Sequence, residues 1–559
     1  MAAKTAPWPA TGRGRVVACA VLFAGVLGAA APLATPVAAQ APLSAIDWLS
    51  DTIGARTIPP ATPPAAAPST AAQGPAIPPM GEGEKQEGGG QEGGGQIDTK
   101  VLGPASPEAT GLFPAQVAGL APGFWGRIAR DEVIALISQP RDLALPALAE
   151  LQRAILLAEL TPPDGSDQTP VLFLARIDRL LALGALEEAA ALIAQAPPEV
   201  AARPEVFRRA FDAALLLGTE NDGCTRIERA AELAPTLPVR IFCFVRLDDW
   251  QAAQLTLDVA RVLGQVAPDE GDLLTRFLDP ALADEAGVLP RLPEGPMTPL
   301  LWRILEAIGE PVPTAGLPLA FAHADLETNA GWRARIIAAE RLARAGVIAP
   351  EVLFALYAAH RPAASGGLWE RAALIQTLEA ALARGDGAAV ARVLRPLWPE
   401  MTAAGLEVAF ARQYGAALMQ VATDDPEAQR TIGVIGLLRP EATLGIVRPP
   451  PIEGGRAQFV QALLAGDPVA PLATDAAARA IALAFRSPAP AALLTPDQRS
   501  ALAEGRAAGA LFAAMDRIAA AAAGDTRGLV DALAFLRVVG FERTARQAAV
   551  QLMLLDRRG

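Results

Sequence analysis

The fold of this chain is indicated by residues 170–198, PVLFLARIDRLLALGALEEAAALIAQAPP. Apolar residues recur at helical spacing over residues 171–181, the pattern stops at Gly184, and a second apolar stripe covers residues 189–193 before two prolines end it. The stretch therefore predicts a hairpin of two helices. Because so small a hairpin cannot bury its apolar face alone, it needs similar hairpins as neighbours.

Composition extends this prediction to the rest of the chain. Of the 559 residues 52% are apolar but only 5% aromatic, which suits closely packed helices better than twisted sheets. Helical periodicity begins near Ile128 and predicts about twenty helices separated by Pro or Gly. We expect an all-α fold in which residues 128–559 form a right-handed α-solenoid of helical hairpins, with a subdivision allowed near residues 286–318.

A three-residue pattern recurs inside this region. A leucine-like residue stands four positions before a Gly or Asp, and an alanine follows five positions after it. The clear copies are Leu180, Gly184 and Ala189; Phe244, Asp248 and Ala253; and Leu536, Gly540 and Ala545. The Gly or Asp is expected to end the first helix in a tight turn, and the alanine lets the second helix lie close against it.

These residues resemble tetratricopeptide-type repeats, whose hairpins carry a comparable Gly-x4-Ala core with a second alanine seven residues on. Ala189 with Ala196, and Ala253 with Ala260, have that spacing. The large aromatic positions of the family are mostly Leu or Ala here, so the resemblance is to a divergent relative. It implies stacked helical hairpins, and it carries over no ligand-contact residue.

Residues 1–39 have the pattern of an export signal. Basic residues precede an apolar stretch over residues 16–33, and small residues ending at Ala39 predict cleavage before Gln40. Cys19 superficially fits a lipoprotein site, but no apolar core precedes it. Since no later segment has an uninterrupted apolar run of bilayer length, we expect a periplasmic protein without an integral membrane segment after cleavage.

Three segments separate the signal from the helical region. Residues 40–53 hold a short amphipathic segment, expected to be either a docking helix or a disordered start of the mature chain; its apolar residues are Leu43, Ile46, Trp48, Leu49 and Ile53. Residues 54–100 contain Gly or Pro at 18 of 47 positions and predict a disordered Pro/Gly/Gln/Glu linker. Residues 101–127, interrupted by prolines, are expected to form an irregular cap. The linker resembles antifreeze glycopeptide polyprotein sequences only superficially, because it lacks a regular Ala-Ala-Thr array.

Charge argues against nucleic-acid binding. The formal net charge is −12, and the predicted cleavage removes three basic residues and no acid, which gives −15. A basic footprint is therefore missing.

The two cysteines outside the signal, Cys224 and Cys243, predict one disulfide in an oxidising compartment. We expect helices over residues 226–233 and 239–246, which would leave Cys224 in the preceding loop, folded back toward Cys243. Its role is expected to be structural, because no Cys-x-x-Cys motif or nearby Lys or His activates a thiol.

Catalytic and cofactor motifs are missing from the sequence. His323 and His360 are the only histidines, too few for a zinc site once the disulfide forms. His360 stands five before Ser365, but no Gly-x-Ser-x-Gly elbow accompanies it, and no phosphate-binding glycine loop occurs. We expect no catalytic, cofactor or metal residues.

The sequence thus favours a non-catalytic periplasmic scaffold or adaptor that binds a protein or peptide partner in a cell-envelope process. The alternative is a peptidoglycan-processing enzyme of the lytic transglycosylase type, or a regulator of a cell-wall enzyme. Such enzymes use a catalytic Glu followed by Ser, and this chain has no Glu-Ser dipeptide. The oligomeric state is left open.

Overall fold

The computed structural model describes residues 106–141, 143–279, 291–326, 329–363, 366–446, 449, 451–452, 454–468 and 472–555. Helices make up 68% of these residues, which confirms the all-α class. The one strand pair among them is two residues long, with Phe113–Pro114 (β1) parallel to Ala158–Glu159 (β2). Within these ranges, no helix is both long and apolar enough to cross a membrane.

In chain order the α-helices are α1 (Arg130–Ser138), α2 (Pro146–Leu157), α3 (Val171–Ala182), α4 (Leu186–Ala194), α5 (Pro198–Ala201), α6 (Pro204–Leu217), α7 (Asn221–Arg229), α8 (Leu237–Arg246), α9 (Trp250–Val262), α10 (Pro268–Leu278), α11 (Pro299–Ala307), α12 (Trp332–Ala345), α13 (Pro350–Ala358), α14 (Leu368–Ala383), α15 (Gly387–Ala403), α16 (Glu407–Leu418), α17 (Pro426–Leu438), α18 (Pro440–Thr443), α19 (Gly455–Leu464), α20 (Ala476–Arg486), α21 (Pro496–Ala503), α22 (Ala507–Ala522), α23 (Leu529–Val538) and α24 (Glu542–Leu554). Short 3₁₀ helices cover Pro107–Ala109, Ala115–Ala118, Ala231–Leu233, Thr314–Gly316, Leu319–Leu326 and Pro490–Leu493.

The hairpin predicted at residues 170–198 is present as α3 and α4. Most residues of its apolar stripes are buried, but Leu174 is half-buried and Val171 at the start of α3 is 42% exposed. Gly184 makes the turn with a φ of +76°, and a Cβ placed there would lie 2.8 Å from Leu319 Cγ. Glycine is therefore required both for the left-handed backbone and for the close approach of the neighbouring segment.

The turns at the other two copies of the pattern have the same backbone. Gly540 has a φ of +95°, and Asp248, at +62°, is the one non-glycine residue with a positive φ in the described part of the chain. The paired alanines Ala189, Ala253 and Ala545 are fully buried. Both residue types thus have the roles that the pattern predicts.

The first helices pack against the last ones. Helix α24 lies against α2, where the Ala147 N–H donates to Gln551 Oε1 at 2.9 Å, and Arg141 pairs with Asp516 of α22 at 2.9 Å. In a linear solenoid each repeat contacts only its neighbours. The prediction of a right-handed solenoid did not include this contact between the ends, and the solenoid itself stays a prediction.

The buried apolar side chains form two main clusters. The larger one draws on residues from Ala115 to Leu555, and the second on residues between Phe207 and Leu305. Met297 and Val312 are partly buried against both clusters. The segment around these two residues therefore lies where the two cores meet.

The predicted disulfide is confirmed and lies in the second cluster. Cys224 and Cys243 are bonded, with their Cα atoms 4.9 Å apart, and both are buried. The expected position of Cys224 in a loop is wrong. Helix α7 begins at Asn221, because the Cys224 N–H already donates to the Glu220 carbonyl at 2.9 Å, and the bond therefore joins two packed helices.

A buried arginine ties residues 106–110 to α3. The side chain of Arg176 donates to four backbone carbonyls, those of Leu156 at 2.7 Å, Glu108 at 3.3 Å, Thr110 at 2.7 Å and Ala158 at 2.9 Å. Burial lowers the pKa of Arg176 to about 10. The negative charge of Glu108 raises this pKa, but by less than burial lowers it. The guanidinium stays charged at neutral pH.

Candidate binding surfaces

Helix α9 has apolar residues on two opposite faces. Ala253, Leu257 and Ala260 are buried in the second cluster. On the other side of the helix Leu255 is 66% exposed, Val259 47%, Val262 87% and Leu263 61%. We call these four residues the α9 stripe. A surface helix normally has polar residues on the face opposite its buried one, so the exposed stripe is a candidate contact surface.

A cleft of about 810 Å³ lies beside the junction of the two clusters. It is lined by α11, α12 and the segments between them, including Trp302, Glu306, Val312, Thr314, Asp325, Arg333 and Ile337. We call it the junction cleft. Ligand sites favour such boundaries between packed units.

Hydrogen bonds hold the wall of the junction cleft in place. Trp302 Nε1–H donates to the Val312 carbonyl at 2.9 Å, and Arg341 donates to the carbonyls of Thr314 at 2.8 Å and Leu317 at 2.9 Å. The cleft is therefore preformed.

Opposite charges line the junction cleft. Burial raises the pKa of Asp325, against the hydrogen bond from the Thr314 hydroxyl and the charge of Arg341. Glu306 is paired with Arg303 at 2.6 Å. Arg333 is exposed, and no described residue forms an ion pair with it. It is therefore available to an anionic group of a ligand.

A second charged group lies between α3 and α6. Arg209 holds Asp178 through two hydrogen bonds, and Arg208 lies 3.8 Å from Asp212. Burial raises the pKa of Asp212 to about 7, although the charges of both arginines lower it. A carboxyl with such a pKa can hold a proton near neutral pH, but ion-pair networks that serve only the fold have the same property.

The histidines have structural surroundings. His323 is buried, and its Nε2 is 2.7 Å from the Gly184 carbonyl, so the ring donates there. Burial lowers the pKa of His323 and favours the neutral ring. His360 packs edge-on against Trp332, with ring centroids 5.3 Å apart, while Ser365 lies outside the described residues. Nor does the described part of the chain hold a group of three or more His, Cys, Asp or Glu side chains placed to bind a metal.

The predicted docking residues Leu43, Ile46, Trp48, Leu49 and Ile53 lie outside the described residues. Sequence reasoning missed both the α9 stripe and the junction cleft. A signal for the stripe was available, because apolar residues of α9 follow two helical stripes instead of one. No comparable signal marked the cleft, whose residues are spread over about thirty-five positions in three segments.

Comparisons with protein-family models, with curated proteins and with solved structures found no match to this chain. The resemblance to tetratricopeptide-type repeats therefore stays a prediction from the residues themselves.

Proposed function

We propose that this chain is a non-catalytic periplasmic scaffold or adaptor that binds a protein or peptide partner in a cell-envelope process. In this proposal its hairpins are divergent tetratricopeptide-like repeats stacked as a right-handed solenoid. Helices α2 and α24, near its two ends, also contact each other. Export rests on the signal pattern of residues 1–39. The observation that carries the binding role is the junction cleft.

The size and lining of the junction cleft suit a peptide. Its volume of about 810 Å³ lies in the range of roughly 300–1,000 Å³ typical of ligand sites. Trp302, Val312 and Ile337 supply an apolar wall for one or two side chains. Because hydrogen bonds already fix this wall, little ordering entropy opposes binding.

The charges of the cleft define the partner further. Arg333 at the rim can form a charge-assisted hydrogen bond with a carboxylate. Glu306 and Asp325 on the same cleft disfavour a ligand with several negative charges. The expected partner is therefore a peptide with an apolar side chain next to a single carboxylate, either an acidic residue or a free C-terminus.

Selection from a random peptide library on the exported protein tests this. Selected peptides are expected to share the apolar and acidic pair, and Ile337→Asp or Arg333→Glu should weaken their binding by about tenfold or more. Val117→Asp is the control, since Val117 is 74% exposed and lies outside the cleft. Peptides that bind Ile337→Asp as tightly as the unchanged protein would contradict the proposal. Release of fragments from purified peptidoglycan would instead favour the cell-wall enzyme.

A further inference from the structure

The α9 stripe has the spacing of a surface that pairs with another helix. Leu255, Val259 and Val262 follow one another at intervals of four and three residues, as apolar residues do along a coiled-coil interface. With 1.5 Å per residue, the stripe from Leu255 to Leu263 is about 12 Å long. Its occupant is expected to be a short amphipathic helix.

The size of the α9 stripe argues against a second copy of the chain as the occupant. Four side chains form a patch of the few hundred Å² that single proteins commonly expose. A stable complex of two free partners buries about 800 Å² on each. Self-association through this stripe alone would be too weak at ordinary protein concentrations.

A segment of the same chain has the matching pattern. In residues 43–53, Leu43, Ile46, Leu49 and Ile53 recur at intervals of three, three and four residues. As a helix, this segment would be about 15 Å long, close to the length of the stripe. We propose that residues 43–53 bind the α9 stripe of their own chain as an amphipathic helix.

The connection is long enough. Between Ile53 and Ser106 lie about fifty residues rich in Gly and Pro, for which a coil spans about 40 Å on average. The described chain then passes beside α3, where the Leu172 N–H donates to Glu108 Oε1 at 3.0 Å. From α3 the helices α6, α7, α8 and α9 pack in succession, and four interaxial distances of 8–10 Å give at most about 40 Å.

Because residues 43–53 are connected to the stripe through the same chain, they need a lower affinity for it than a separate peptide would need. A Gly- and Pro-rich sequence of this length, treated as a coil, gives a local concentration of roughly a millimolar or somewhat less. Binding that would be negligible for a free peptide at micromolar concentration is then substantially populated within one chain. A small apolar stripe is therefore sufficient for a tethered partner, although it is not sufficient for a separate one.

A photo-crosslinking amino acid at position 262 of the exported full chain tests the proposal. We expect a crosslink within one chain, which mass spectrometry maps to residues 43–53. The same group at position 117, which is 74% exposed against 87% for Val262 and lies elsewhere on the chain, should not give it. Replacing Ile46 and Leu49 by Ala should lower the crosslink yield by about tenfold, because it removes two of the apolar side chains that are buried on binding.

Other outcomes would overturn the proposal. A crosslinked dimer would assign the stripe to a second copy, and a crosslink to residues 280–290 would assign it to that part of the chain instead. An unchanged yield with Ile46→Ala and Leu49→Ala would show that the amphipathic segment is not the occupant. None of these results bears on peptide binding in the junction cleft, which Ile337→Asp tests separately.

Discussion

Replacing Arg176 by methionine tests how residues 106–110 are held on α3. Methionine keeps most of the volume of the side chain but removes all four hydrogen bonds from its guanidinium to backbone carbonyls. Three of those bonds are buried, so water cannot replace the lost donor without an opening of the structure.

The magnitude follows from the four carbonyls. Each one left without its donor costs about 1 kcal/mol or more, about 4 kcal/mol in total. Removing the buried charge recovers part of the desolvation cost of arginine, so we expect a net loss of about 3 kcal/mol. The loss should be local, because all four carbonyls belong to residues 108–110 and 156–158.

Hydrogen exchange measures this loss at two backbone amides. The Leu112 N–H donates to the Leu157 carbonyl at 2.8 Å, and the Leu172 N–H donates to Glu108 Oε1 at 3.0 Å. In Arg176→Met both should exchange about a hundredfold faster, the equivalent of about 3 kcal/mol. Arg527→Met is the control, because Arg527 is exposed and pairs with the nearby Asp525. Unchanged protection of both amides in Arg176→Met would show that Arg176 does not hold residues 106–110 on α3.

Three further changes test other parts of the fold. Replacing Cys224 and Cys243 by Ser should lower the unfolding free energy of the second cluster by about 3 kcal/mol, because the bond closes a loop of 19 residues. A denaturant midpoint equal to that of the unchanged protein would contradict this. Gly184→Ala should lower the melting temperature more than Gly540→Ala. Both glycines have a positive φ, but of the two only Gly184 has a neighbouring side chain where a Cβ would lie. Equal decreases in melting temperature would contradict the close approach at Gly184. Because the folded-state pKa of Asp212 is raised to about 7, its contribution to stability is fully present below about pH 4 and is lost as the pH rises through 7. Asp212→Asn should therefore flatten the fall of unfolding free energy between about pH 4 and pH 7 in urea titrations, and an unchanged slope would contradict the raised pKa.

Sequence patterns predicted those structural features that depend only on residues close together along the chain. The helical period and the turn at Gly184 identified the α3–α4 hairpin, because both depend on backbone geometry within a few residues. The disulfide between Cys224 and Cys243 could be predicted because they are the only two cysteines outside the predicted export signal, and because an exported protein is expected to meet oxidising conditions. The start of α7 was misplaced, since TENDG resembles a loop by composition, yet its last residues join the helix that packs on α8.

An all-α chain of short hairpins, their tight turns and one disulfide could therefore be predicted from local patterns in the sequence. Tertiary structure alone decided that Ala147 lies against Gln551, and that Trp302, Asp325 and Ile337 line one cleft. The helical spacing of apolar residues shows which face of a helix is apolar, but it does not show which distant helix covers that face. That choice depends on the fit of side chains between helices hundreds of residues apart, and it leaves the α9 stripe exposed to solvent among the described residues.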